Sequence, residues 1–135
     1  MSIRQHARQT VVQALYQWHF DQTDVKDLIL NHLDDKKPSS IDIDFFRETL
    51  MGVIEHAKAL DDTIVTAANR PLDEITPIEL AILRLGAYEI IYRMDIPYKV
   101  SITEATSLAH RFGPEESYRF VNRVLDLVAE DSKDS

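Results

Sequence analysis

The chain lacks several features that whole classes of protein require. None of its 135 residues is cysteine, which excludes disulfide bonds, a thiol nucleophile and a thiolate metal site. Its apolar runs are shorter than the roughly 18 residues that a membrane-spanning helix needs, and its first residues lack the apolar core of a secretion signal. The sequence therefore predicts a soluble cytoplasmic protein with no membrane partner.

Glycine is also scarce, since only Gly52, Gly86 and Gly113 are present. Alternating β-branched patterns are few, and together these two absences favour an all-α fold. A chain of this length can bury one substantial core. We expect a compact single domain over residues 1–129, followed by an acidic flexible tail at 130–135.

Patterns typical of catalysis or metal binding are missing as well. None of the five histidines has a zinc-like spacing such as HExxH, and adjacent acidic pairs are more simply solvated faces or helix starts than acid/base pairs. Neither a GxSxG motif nor a glycine-rich phosphate loop occurs. We therefore expect no enzyme activity, no cofactor and no metal.

The net charge of −8 argues against a nucleic-acid partner, but the charges are unevenly distributed. Residues 1–20 contain Arg4 and Arg8 and no acidic side chain, whereas the rest of the chain holds 13 basic and all 23 acidic residues. Both arginines fall on the same helical side as Val11 and Leu15. Because a buried stripe cannot easily hold unpaired guanidinium groups, we expect the first two turns to overhang the core. Two interpretations of Arg4 and Arg8 stay open: they are ordinary surface arginines, or they contact phosphate groups.

Helical spacing of apolar residues predicts most of the secondary structure. Helices are expected at about 4–20 and 25–33, and from Asp42 with a continuation or kink into 57–69. Thr76, Pro77 and Glu79 form a capped start for a helix at 78–94, which is apolar nearly all round and so belongs in the middle of a bundle.

The stretch IPYKVSITEATSLAHRFGPEESYRFVNRVLD, at 96–126, predicts two helices joined at a tight corner. Ser101 and Glu104 have the spacing of a capping box, and Gly113 is expected to end that helix in the left-handed conformation. Pro114 would then open the next helix. This corner is expected to hold five side chains near one another: Phe112, Tyr118, Arg119, Asn122 and Arg123.

Three separated motifs carry a family resemblance. PYKVSITEA with the following FG and FVNRVLD, RQTVVQALYQW near the start, and IELAILRLGAYEIIYR in the centre resemble the NusB family of bacterial transcription antitermination factors. The resemblance implies a NusB-like bundle of about seven helices. It also implies a factor that joins NusE, a small-subunit ribosomal protein, to bind the boxA element of nascent ribosomal RNA and support rRNA operon transcription by RNA polymerase.

The residues and the resemblance together predict two sets of contacts. RNA binding is expected from Arg4, Arg8, Tyr16, Lys99, Phe112, Arg119, Asn122 and Arg123. Contact with NusE is expected from Tyr16, Glu79, Arg84 and Glu116. Tyr16 is equally a half-buried tyrosine with a solvated hydroxyl, Asn122 equally a hydrogen-bond partner for a loop, and Glu79 equally a local surface charge.

The chain departs from the family pattern at its N-terminus, where Gln5 and His6 replace basic residues in RQHAR. Fewer phosphate contacts predict weaker RNA binding by this chain alone, so a partner and the residues around the Gly113 corner should contribute more. Two other functions stay open, an accessory domain related to RNA methyltransferases and a protein interaction module without RNA. A homodimer is also possible, as in some family members.

Overall fold

The computed structural model describes residues 1–133 and is all-helical over them. Its seven α-helices are α1 (Ile3–Asp21), α2 (Val25–Leu33), α3 (Ile43–Glu55), α4 (Ala57–Ala68), α5 (Pro77–Tyr92), α6 (Tyr98–Phe112) and α7 (Ser117–Lys133). Short 3₁₀ turns at Pro38–Ser40 and Leu72–Glu74 join α2 to α3 and α4 to α5. The all-α prediction is confirmed. Over the described residues, no helix is long and apolar enough to cross a membrane.

Helix α5 lies at the centre of the bundle, as its all-round apolar pattern predicts. It packs against α1, α3, α4, α6 and α7, and every residue from 79 to 90 is buried. Gly86 permits the close approach of α7, because a Cβ atom there would lie 2.6 Å from Cδ1 of Leu125. The interior of the fold is therefore set by α5 and its fit to five neighbours.

The first helices follow their sequence signals closely. Asp42 caps α3 by accepting the Phe45 amide at 3.1 Å, and Thr76 caps α5 by accepting the Glu79 amide at 3.3 Å. The chain breaks at His56, where α3 ends and α4 begins, which fits the predicted kink. Caps and apolar spacing were thus sufficient to place the helices up to α5.

The capping box predicted at Ser101 is wrong. Helix α6 already begins at Tyr98, because the Pro97 carbonyl accepts the Val100 amide at 2.9 Å. Ser101 is buried within the helix, and its hydroxyl donates to Glu89 Oε1 at 2.8 Å. Its side chain links α6 to α5 and does not cap a terminus.

The corner between α6 and α7 also differs from its prediction. Gly113 has a φ of −84°, so it is not left-handed, and Glu116 takes that conformation with a φ of 67°. A Cβ atom on Gly113 would lie 2.8 Å from the Ala109 carbonyl oxygen. The absence of a side chain at Gly113 therefore allows the backbone to pass close to the Ala109 carbonyl group. Helix α7 begins at Ser117 and not at Pro114, which leaves both acidic residues of the corner before the helix.

Residues 130–133, where a flexible tail was expected, belong to α7. Lys133 Nζ donates to the Tyr98 hydroxyl at 3.0 Å and ties the end of α7 to the start of α6. Residues 134–135 of the expected tail lie outside the described residues.

Candidate nucleic-acid interface

Arg8 is a buried anchor, and the expectation that it overhangs the core is wrong. The residue is 4% exposed and makes a bidentate pair with Glu89 of α5, with Nε at 2.8 Å and Nη2 at 3.1 Å from the carboxylate oxygens. Glu89, 1% exposed, also accepts the Ser101 hydroxyl. Glu104 Oε2 lies 4.0 Å from Arg8 Nη1. Arg8 therefore joins α1 to α5 and α6 and has no free face for a phosphate.

Arg4, one turn earlier, is exposed and accessible. Its Nε lies 3.6 Å from Asp42 Oδ2, and its guanidinium lies 4.7 Å from the centre of the Phe45 ring. An ion pair of this length and exposure is weak, so the arginine can exchange Asp42 for a phosphate. Of the two predicted N-terminal contacts, only Arg4 is available to RNA.

Glu79 and Arg84 were expected to face a partner, but both are buried and make hydrogen bonds within the chain. The Glu79 carboxylate accepts the hydroxyls of Thr76 and Ser117, and so ties the start of α5 to the start of α7. Arg84 makes two 2.8 Å hydrogen bonds to Asp61 of α4. Arg84 is therefore ion-paired inside the bundle, whereas Glu79 is held by two hydroxyl donors.

Tyr16 and Phe112 line one apolar groove with Gln13, Pro77 and Ile78. Tyr16 is 43% exposed and Phe112 is 37% exposed, which is high for aromatic rings beside a packed core. Aromatic faces of this kind can stack on unpaired bases or pack against a partner chain. The groove lies between α1, the start of α5 and the end of α6.

The other residues predicted at the corner lie on the outer face of α7. Tyr118, Arg119, Asn122 and Arg123 line a second groove with Asp126, Leu127 and Glu130. Glu116, expected to contact NusE, lies 3.8 Å from Arg119 in an exposed ion pair. Phe112 lines the first groove and the other four residues predicted at the corner line the second. The corner does not gather all five side chains into one site.

Lys99 is distant from the groove that contains Tyr16 and Phe112. It is exposed in the first turn of α6, whereas Phe112 ends that helix 13 residues later, roughly 20 Å along the axis. The structure therefore does not bring Lys99 together with Phe112.

The family is settled by comparison with known sequences. The NusB family profile matches residues 5–130. The chain belongs to the NusB family. Transcription antitermination protein NusB of Idiomarina loihiensis is 46% identical over 127 residues, which cover 94% of this chain and 91% of that protein. The NusB protein of Marinobacter nauticus is 45% identical over 126 residues, covering 93% and 80%.

Solved structures agree with the NusB assignment. NusB of T. maritima is 30% identical, has a TM-score of 0.86, and is matched over 97% of this chain and 94% of that one. A crystal structure of antitermination factors NusB and NusE in complex with dsRNA has a TM-score of 0.84, with coverage of 94% and 96%. At 20% identity, that second likeness concerns the fold.

Two cations of this NusB-family chain were missed by sequence reasoning. Arg70, after α4, lies 4.3 Å from the centre of the Phe120 ring, which Arg123 also approaches at 5.6 Å. Arg111 lies beside the exposed face of α1, where its Nη1 donates to Gln9 Oε1 at 3.1 Å. Both contacts join distant parts of the chain, so periodicity gave no signal for them. Over the described residues, no group of three or more His, Asp or Glu side chains could hold a metal ion.

Proposed function

We propose that this NusB-family chain acts as a transcription antitermination factor. Together with NusE it would bind the boxA element of nascent ribosomal RNA and help RNA polymerase to pass premature terminators of rRNA operons. The observation that carries the proposal is family membership over residues 5–130, with relatives named transcription antitermination proteins, one of which is 46% identical. The chemistry proposed is binding, without catalysis.

Exposed aromatic and cationic side chains give the proposal its physical content. Unpaired bases stack on Tyr16 and Phe112, each stack contributing about 1–3 kcal/mol. Arg4 binds phosphate at one end of α1, and Arg119 and Arg123 bind phosphate along α7. These contacts suit single-stranded RNA, whose bases are free to leave the helical stack.

Contact with NusE is proposed for the exposed residues of the predicted partner set. Tyr16 and Glu116 are both solvent-accessible, at the aromatic groove and at the corner respectively. Glu79 and Arg84 support this surface from inside, since Glu79 holds Ser117 at the start of α7 and Arg84 holds α4 against α5. Their substitution is expected to act through folding.

The proposed activity places the chain in the bacterial cytoplasm, where transcription occurs, as part of an antitermination complex with RNA polymerase. A homodimer that covered the Tyr16 groove would compete with RNA. Sedimentation with and without RNA distinguishes a dimer that RNA dissociates from a chain that binds RNA as a monomer.

A titration in four arms tests the function. Fluorescently labelled boxA RNA and a shuffled RNA of the same length and composition are each titrated with this chain, in the absence and presence of saturating NusE. We expect weak binding to either RNA without NusE, and clear preference for boxA with it. Equal weak binding in all four arms would contradict the proposal and leave a protein interaction module as the alternative.

A further inference from the structure

The exposed face of α1 has few cations for a helix that is proposed to bind RNA. Arg8 is buried against Glu89, which leaves Arg4 as the remaining arginine of the helix. Further along, the outward positions are occupied by the neutral side chains of Gln9, Gln13 and Tyr16. A phosphate running along this face must therefore find its positive partner on another element.

Arg111, at the end of α6, is a positively charged residue that lies beside this face of α1. Its Nη1 donates to Gln9 Oε1 at 3.1 Å, and its guanidinium carbon lies 5.3 Å from the centre of the Phe112 ring. The side chain is solvent-exposed. A guanidinium held by a neutral amide and an aromatic ring keeps its charge and most of its five donors available.

The arginines of the described residues differ in whether they form an ion pair with a carboxylate. Five of the nine form ion pairs with carboxylates: Arg4, Arg8, Arg84, Arg93 and Arg119. Arg111 belongs to the remaining four, which have no such pair among the described residues. Because a phosphate need not displace a carboxylate there, binding at Arg111 loses no existing ion pair.

Two surface grooves lie along α1 near Arg111 and Phe112. One is lined by Met1, His6, Gln9, Ser40 and Arg111 itself. The other, lined by Gln13, Tyr16, Pro77, Ile78 and Phe112, contains the exposed aromatic rings. Neither set of described lining residues includes Asp or Glu. Gln9 and Tyr16 are separated by roughly 10 Å along the helix axis, so a short single strand can reach both grooves.

We propose that Arg111 binds an RNA phosphate and supplies from α6 the positive charge that the outer face of α1 lacks. The phosphate oxygens accept from the guanidinium fork and displace the Gln9 amide oxygen, while an adjacent base stacks on Phe112 or Tyr16. This inference rests on the proposed RNA-binding function and adds one contact residue to it.

The salt dependence of RNA binding tests the proposal. Binding of boxA RNA in the presence of saturating NusE is measured from 50 to 200 mM salt for the wild type, Arg111→Gln, Arg111→Lys and Arg47→Gln. Each phosphate contact contributes about 0.7 to the logarithmic salt slope for a single strand. Arg111→Gln should therefore bind more weakly than the wild type at low salt. Between 50 and 200 mM salt, the factor by which its affinity falls should be about threefold smaller than the factor for the wild type. Arg111→Lys should keep the slope.

Arg47→Gln is the matched control. Arg47 is exposed on α3, lines a separate groove with Leu30 and Asp34, and its substitution removes the same charge. Wild-type slope and affinity in Arg111→Gln, with boxA still preferred over shuffled RNA, would overturn this inference and leave the proposed function intact. Equal losses in Arg47→Gln and Arg111→Gln would also overturn it, since they would indicate net charge alone. Absence of boxA binding by the wild type would overturn both proposals.

Discussion

Removing the Arg8 side chain should destabilise the fold far more than removing Arg4, although both arginines lie in the first turns of α1. Arg8 and Glu89 are 4% and 1% exposed, and two hydrogen bonds join them. Arg8→Ala leaves the Glu89 carboxylate buried with the Ser101 hydroxyl and without its cation. The missing guanidinium also opens space beside Phe45.

Breaking a buried ion pair from one side costs about 3–5 kcal/mol, whereas an exposed pair contributes about 0–1 kcal/mol. A domain of this size has a free energy of unfolding of about 5–15 kcal/mol. Arg8→Ala should therefore remove a large fraction of the stability, and Arg4→Ala little of it. The double variant Arg8→Met, Glu89→Gln should be much more stable than Arg8→Ala. It leaves no charge buried, and the new amide oxygen at position 89 can still accept from the Ser101 hydroxyl.

Urea unfolding at pH 7, followed by far-ultraviolet circular dichroism, measures these differences. With an m-value of about 2 kcal/mol per molar urea, a loss of 4 kcal/mol lowers the midpoint by about 2 M. If Arg8→Ala and Arg4→Ala shifted the midpoint equally and by less than 0.5 M, roughly 1 kcal/mol on the same m-value, the buried pair would not form in solution and the reasoning would be refuted.

Three further predictions follow from other contacts. Gly86→Ala should cost about 1–3 kcal/mol in urea unfolding, because the new methyl group meets Leu125 at 2.6 Å, and an unchanged midpoint would contradict the close approach of α5 and α7. Burial lowers the pKa of His32 from its usual 6.5, so the folded protein favours the neutral imidazole. The free energy of unfolding should therefore fall as the pH drops below 6.5, because the unfolded chain binds the proton more readily. His32→Gln should flatten this fall in a plot of stability against pH. Phe112→Ala should weaken boxA binding by about 1–3 kcal/mol in the same titration as above while leaving the urea midpoint within about 1 kcal/mol, and equal RNA affinity would exclude stacking there.

The helices could be predicted from the sequence because their signals are local. Caps at Asp42 and Thr76 and apolar spacing act within a few residues, and the structure follows them. At Ser101 the same local signal failed, since a buried hydroxyl found a stronger partner in Glu89 of another helix. Gly113 was correctly identified as a special position, but the close approach of Ala109 was the reason and not a left-handed backbone.

The candidate site was less predictable because its charges are paired over long range. The partner of Arg8 lies 81 residues away in sequence, so a helical wheel could give the side of α1 but not the burial of its guanidinium. Arg111 lies 102 residues from Gln9 and carried no signal in its own helix. Tyr16 and Phe112, identified separately, do line one groove. Residue type identified candidates, and only the packing of α1 against α5 and α6 decided which of them face outward.

Transcription through a terminator tests the central claim most directly. RNA polymerase with the other elongation factors of the same organism transcribes a template with boxA upstream of the terminator, with and without this chain and NusE. Addition of both proteins should raise read-through on the boxA template and leave a template with shuffled boxA unchanged. Read-through that does not depend on the chain, or that rises equally on both templates, would contradict a role as a boxA-dependent antitermination factor.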